Sequence, residues 1–109
     1  MSRKTRSILE NVKGMGAVYH GEEFIRELGY DITVWQEWLH SSGAAPIEGL
    51  QEITGLVFDI NSPIGVADLV DGRVLTLHLE DGRRLDFFIR NSDGEIANSG
   101  PDGLYEPSD

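Results

Sequence analysis

The sequence predicts an all-β protein, a small antiparallel meander that closes into a six- to seven-stranded barrel or a compact sandwich, with or without a short N-terminal helix. Three observations predict this fold. Apolar residues alternate with polar ones from Phe24 to Trp38, a Leu-x-Asp-Gly-Arg pattern occurs twice, and glycine-containing turns recur between the apolar segments. A sheet with one apolar face must close or fold over to bury that face.

Length and composition place the chain among single-domain globular proteins. It has 109 residues, of which 39% are hydrophobic and 26% are charged. Its net charge of −10 argues against nucleic acid or an anionic membrane as the main partner. The absence of cysteine excludes a disulfide scaffold, a zinc ribbon and a thiol nucleophile. We therefore expect a cytoplasmic protein with no membrane partner and no cofactor.

The two ends differ in charge from the middle. Residues 1–13 are basic and contain a Ser7-x-x-Glu10 capping-box pattern, which predicts a basic arm or a short helix over Ile8 to Lys13. Residues 14–99 read as a single β domain. Residues 100–109 are rich in Gly, Pro and acids and read as a flexible acidic tail, in which the docking of Leu104 and Tyr105 is left open.

The longest predicted strand runs from Phe24 to Trp38, with its apolar residues mainly at even positions. Gly29 is expected to mark a bend or a bulge in it. Residues 16–19, before a turn at His20-Gly21, would form its antiparallel neighbour, and residues 39–46 read as a loop.

The next strand, Leu50 to Ile60, alternates less regularly. Leu50, Leu56, Phe58 and Ile60 share one parity, whereas Ile53 and Val57 take the other. A bulge at Gly55 or burial on both faces would explain this pattern, and the sequence does not choose between them.

The repeated pentapeptides, residues 69–73 and 79–83, predict two hairpins. A three-residue loop at residues 80–82 sets Leu77 opposite Leu85 and Leu75 opposite Phe87, which favours burial over the alternative register that sets Leu77 opposite Asp86. The same rule applied to residues 69–73 sets Ala67 opposite Leu75. The predicted core stripe is Ala67, Leu69, Leu75, Leu77, Leu79, Leu85 and Phe87, and a last short strand is expected at residues 95–98.

Few patterns in the sequence point to chemistry. The chain has no phosphate-binding loop and no hydrolase or metalloprotease motif, and the spacing of His20, His40 and His78 matches no metal site. The acids of residues 22–37 fall mainly on the outward parity of the long strand, which indicates a solvated face. We therefore expect no catalytic residues and no metal ligands; a carboxylate-dependent hydrolase or isomerase is the least favoured alternative.

Four apolar residues are predicted to face outward and form an interaction patch: Ile25, Trp35, Val74 and Phe88. Either the chain covers them itself or another protein does. The favoured hypothesis is a non-catalytic protein-binding module that forms a homodimer through this patch or through an exposed sheet edge. The alternative is an acidic protein of the inhibitor or immunity type that occupies a basic surface on a partner protein.

Overall fold

The computed structural model describes residues 3–100 and 103–107. Its strands are β1 (Arg3–His20), β2 (Glu23–His40), β3 (Ile47–Phe58), β4 (Leu75–His78), β5 (Arg84–Ile89) and β6 (Ile96–Asn98). They form one antiparallel sheet in the order β3-β2-β1-β4-β5-β6. Among the described residues, no helix is long and apolar enough to cross a membrane.

The sheet curls into a nearly closed barrel, which confirms the predicted fold class. Closure brings β3 beside β6, where an isolated bridge joins Leu56 to Glu95 and the Val57 amide donates to the Gly94 carbonyl at 2.9 Å. The interior is filled by apolar side chains from all six strands and from the segment between β3 and β4, and Phe87 is the largest fully buried one.

The β4–β5 hairpin has the predicted register. Leu75 lies opposite Phe87 and Leu77 opposite Leu85. The Leu79 amide donates to the Arg83 carbonyl at 2.9 Å across the turn, in which Gly82 has a φ of 93°. A type I turn followed by a left-handed residue requires this conformation, which glycine adopts at little cost.

The first pentapeptide does not form a hairpin, so the predicted pairing of Ala67 with Leu75 is wrong. Residues 67–69 form a short 3-10 helix instead, in which Leu69 is buried and Ala67 is exposed. The reason is that both edges of β4 are already used, one by β5 and the other by β1 through the Tyr19–Thr76 pair. No edge remains for another strand, and Val66 takes the core place expected for Ala67.

The N-terminal region is also different from the expectation. The short helix predicted over Ile8 to Lys13 is a continuation of β1, which pairs with β2 from Arg3 to His20. Pairing with a long partner strand overrides the local capping-box signal. Met1 and Ser2, the first residues of the predicted basic N-terminal segment, lie outside the described residues.

The long strand β2 is confirmed, as is the turn that follows His20, and the loop is confirmed at residues 41–46. Gly29 is not a bulge, because the register with both neighbours is continuous there. Its role is steric: a Cβ atom at Gly29 would lie 2.1 Å from the ring of Phe58, which packs over it.

Strand β3 buries Ile53 and Val57, whereas Leu56 and Phe58 are each 42% exposed. Both explanations offered for its irregular pattern are therefore wrong, because the pairing of Ile32 with Gly55 shows no register shift and burial is confined to one face. The last predicted strand is confirmed as β6.

The C-terminal segment is partly docked rather than flexible throughout. Tyr105 bridges to Arg84 through two backbone hydrogen bonds of 2.7 and 2.9 Å, and Leu104 packs against the core. Residues 101, 102, 108 and 109 of the expected tail lie outside the described residues.

Candidate interaction surface

The sheet extends well past the barrel on one side, and we call this extension the arm. It consists of residues 3–9 of β1, 35–40 of β2 and 47–52 of β3, which are paired with one another. The principal extents of the molecule, 53 × 33 × 22 Å, reflect this elongation. All residues from Arg3 to Leu9 are exposed, so neither face of β1 is covered in the arm.

The arm carries large apolar side chains that the core does not protect. Ile8 is 59% exposed, Leu9 51%, Ile47 61% and Leu50 59%. Cross-strand partners share a face of the sheet, so Ile8 lies beside Trp35, and Ile47 beside Leu39, on the outward face. An apolar surface of this kind is typical of a protein contact.

Trp35 is held in place by polar groups on this outward face. Its indole Nε1 donates to Thr54 Oγ1 at 2.9 Å, and the Arg6 guanidinium lies 4.2 Å from the ring centroid. Arg6 also pairs with Glu52 at 3.0 Å, and Lys4 lies 4.0 Å from Glu37. The indole ring is therefore fixed between charged neighbours that are already neutralised.

The inward face of the arm is held together by side-chain hydrogen bonds. Trp38 Nε1 donates to Ser7 Oγ at 3.0 Å, and Thr5 shares a 2.7 Å hydrogen bond with His40. The buried Gln36 amide donates to the carbonyls of Glu37 and Gly49, where the β2–β3 register shifts. These bonds fix the relative positions of the three strands without a hydrophobic core.

The arm is formally neutral, in contrast to the rest of the chain. It contains three basic residues, Arg3, Lys4 and Arg6, and three acidic ones, Glu37, Glu48 and Glu52. The remaining residues therefore carry the whole net charge of −10. Two copies of an acidic protein repel each other, and this repulsion is weakest where the arms meet.

The four predicted patch residues do not form one surface. Ile25 is the extra residue at a register shift in the β1–β2 ladder and packs against the core. Val74 is exposed just before β4, and Phe88 is half-buried in β5. Trp35 lies opposite Ile8, whereas β4 joins β1 at residues 17–19. At 3.3 Å per residue, this spacing separates Trp35 from the β4 side by roughly 35 Å.

The arm itself was missed by the sequence reasoning. The signal was weak, because residues 3–9 show no period-two pattern. The capping-box pattern indicated a helix, so residues 3–9 were not recognised as the partner of β2. One hint was the mismatch between the long strand predicted from Phe24 to Trp38 and its short predicted neighbour at residues 16–19, because the backbone groups along the rest of the long strand need another partner.

Acidic clusters elsewhere in the barrel are bound to arginines. Arg26 contacts Asp59 at 3.3 Å and also pairs with Asp68, and the hydrogen bond from Arg26, together with its charge, lowers the pKa of Asp68. Arg83 holds Asp81 and Glu10 in the same way and lowers the pKa of Asp81. Such ionised carboxylates suit structural ion pairs, whereas a general acid must carry a proton.

A second polar cluster anchors the C-terminal segment. Asp86 Oδ1 accepts hydrogen bonds from Thr76 Oγ1 at 2.9 Å and from the Tyr105 hydroxyl at 2.8 Å. Burial, followed by the hydrogen bond to Asp86 and the charge of that carboxylate, raises the pKa of Tyr105. Among the described residues, no group of three or more His, Asp or Glu side chains is placed to hold a metal ion.

Comparison of this chain with protein-family models, curated proteins and solved structures gives no match. The surface of the molecule is therefore the basis for the proposed function.

Proposed function

We propose that this chain is a non-catalytic interaction module that self-associates as a homodimer through its arm. The observation that supports this most directly is that the arm combines formal neutrality with four large apolar side chains that are each more than half exposed. Ile8 and Ile47 share its outward face, and both are about three-fifths exposed, at 59% and 61%. Their burial against a second copy would stabilise the dimer by removing apolar area from water.

The test compares the arm with an equally exposed part of the barrel. The double variant Ile8→Thr, Ile47→Thr keeps β-branched side chains in both strands while removing apolar surface. The matched control is Ile60→Thr, Ile64→Thr, at residues that are 72% and 61% exposed in the segment after β3. We expect a dimer by sedimentation equilibrium for the wild type and the control, and a monomer for the arm variant. A monomeric wild type would refute the proposal.

A second candidate function has its own observation, the excess of unpaired acids on the barrel. Six of the nine basic residues form ion pairs within the chain: Lys4, Arg6, Lys13, Arg26, Arg73 and Arg83. Among the described residues, the exposed acids Glu22, Glu23 and Glu27 have no such partner. They would suit a basic surface on another protein.

Salt distinguishes the two candidates. Binding that depends on exposed charges weakens steeply as ionic strength rises, whereas an apolar contact persists. We expect the homodimer to survive a rise to molar salt. The charge-led function would instead predict capture of a basic protein that is lost over that range, and replacement of the three acids by glutamine would abolish this capture.

A further inference from the structure

Most of the outer edge of β1 has no backbone partner among the described residues. Among the described residues, β4 pairs with β1 only at residues 17–19. The Glu80 carboxylate then accepts the Met15 amide at 3.0 Å. From Arg3 to Lys13 no other strand of the described part of the chain lies along this edge. Such an edge is a template for pairing with another chain.

The hydrogen-bonding direction of the residues along this edge follows from Met15. Its amide points away from β2, toward Glu80, so in an antiparallel ladder Lys13 and Asn11 point the same way. Leu9 is an extra residue at a register shift, which changes the parity. Lys4, Arg6 and Ile8 therefore direct their backbone groups to the outer edge, while Ser7 and Thr5 direct theirs to β2.

We propose that a second copy of this chain adds its own β1 to this edge, antiparallel and centred on Ile8, so that the two sheets become continuous. This inference rests on the proposed self-association and specifies its contact. A two-fold axis at Ile8 brings the two most exposed apolar residues of β1, Ile8 and Leu9, together with their copies.

Like charges disfavour a register centred nearer the N-terminus. The cations Arg3, Lys4 and Arg6 precede Ile8. A pair centred on Arg6 would set this cation against its own copy, which is unfavourable for directly opposed residues. A pair centred on Ile8 opposes two exposed apolar side chains instead.

The opposite edge of the arm is less suitable. Asn98 occupies the outer edge of β3, where its side chain accepts from the Ile53 amide and donates to the Gln51 carbonyl, both at 3.1 Å. Only residues 47–50 extend beyond this clamp. Pairing β3 with its own copy would also bring Glu48 and Glu52 close to like charges.

The absence of cysteine from the chain makes a crosslinking test direct, because each introduced thiol reports only its own position. A residue on a two-fold axis meets its own copy, within the Cα separation that a disulfide spans. We expect Ile8→Cys to give an oxidised dimer in high yield. Ile47→Cys, equally exposed on the same outward face but two strands away, is the matched control and should give little.

Proline at Arg6 tests the edge through its backbone. Arg6→Pro removes an outward N–H, which edge strands tolerate, whereas Arg6→Ala removes the same side chain and keeps the N–H. We expect Arg6→Pro to raise the dimer dissociation constant by about tenfold beyond Arg6→Ala. Circular dichroism and the unfolding free energy of each monomer show whether the fold is retained.

The outcomes separate the two proposals. A dimer that crosslinks at Ile47 rather than Ile8, or that tolerates Arg6→Pro as well as Arg6→Ala, has its arms stacked face to face, which overturns the edge pairing but leaves self-association in place. A monomeric wild type overturns both.

Discussion

The barrel and the arm share strands β1, β2 and β3, yet the two parts of these strands are stabilised in different ways. In the barrel, Leu28 and Ile32 of β2 and Val57 of β3 are fully buried. In the arm, the β1 residues paired with β2 are exposed on both faces. The comparison shows that strand pairing continues far beyond the residues that a hydrophobic core stabilises.

The arm depends on backbone hydrogen bonds and side-chain links such as Trp38 to Ser7. Hydrogen bonds contribute modestly in water, and small sheets without a packed face are marginal. The arm should therefore open at a lower free energy than the barrel unless a second copy covers it.

The largest expected effect is in the barrel. Leu77 is fully buried and lies opposite Leu85, so Leu77→Ala should reduce the free energy of unfolding by about 2–5 kcal/mol. Ile8→Ala in the arm should change it by less than about 0.5 kcal/mol when the protein is monomeric. Urea denaturation of both variants at low protein concentration measures the difference. Equal losses of unfolding free energy in the two variants would contradict the view that the barrel core stabilises the fold and that the arm adds little to it.

The next effect is at Gly55, where the backbone of β2 lies close to the position that a side chain would occupy. Gly55 has a φ of 139°, and an added Cβ would lie 2.2 Å from the Asp31 carbonyl oxygen. Gly55→Ala should therefore cost roughly 1–3 kcal/mol through strain. Gly43→Ala is the control, since Gly43 also has a positive φ, 77°, but no atom within 4 Å of the added Cβ. Thermal unfolding that ranks Gly43→Ala as the worse variant would contradict this account.

Sequence reasoning succeeded where local chemistry and long-range pairing agree. The two Asp-Gly-Arg turns share one local hydrogen bond: Asp71 accepts the Arg73 amide at 3.1 Å, and Asp81 accepts the Arg83 amide at 2.9 Å. Only the second turn lies between paired strands. The first is excluded because β1 occupies the edge of β4, and that occupancy depends on a residue some 50 positions away in the chain.

The faces of β3 could not be assigned from the sequence for a related reason. Leu56, Val57 and Phe58 are consecutive large apolar residues, so the local pattern does not show which of them is buried. Phe58 lies outside because the ring packs on Gly29, which offers space that no other residue would leave. This contact joins two strands, and neither strand shows it alone.

The sequence predicted the kind of candidate site but not its position. An exposed sheet edge and an outward Trp35 were expected, but their position on a projecting arm depends on the pairing of residues 3–9 with β2. Those residues carry a capping-box pattern and no alternation. Local signals therefore predicted a basic arm or a short helix, and only the register with β2 shows a strand.

The smallest expected effect concerns the pH dependence of barrel stability. His78 stacks on Tyr19 with ring centroids 4.3 Å apart. Burial and then the charge of Arg84 lower the pKa of His78 in the folded protein. The unfolded chain binds this proton more readily, so stability rises with pH up to about 6.5, the ordinary value, and is lost as pH falls through the folded pKa.

His78→Gln should flatten this part of the stability curve, measured by urea denaturation from about pH 5 to 7. Asp68 and Asp81 do not interfere, because their lowered pKa values place their loss of stability at more acidic pH. His20→Gln, at the exposed end of β1, serves as the control and should keep the slope. If His78→Gln also keeps the slope, the pH dependence comes from groups outside the β1–β4 contact, and the burial of His78 does not contribute to it.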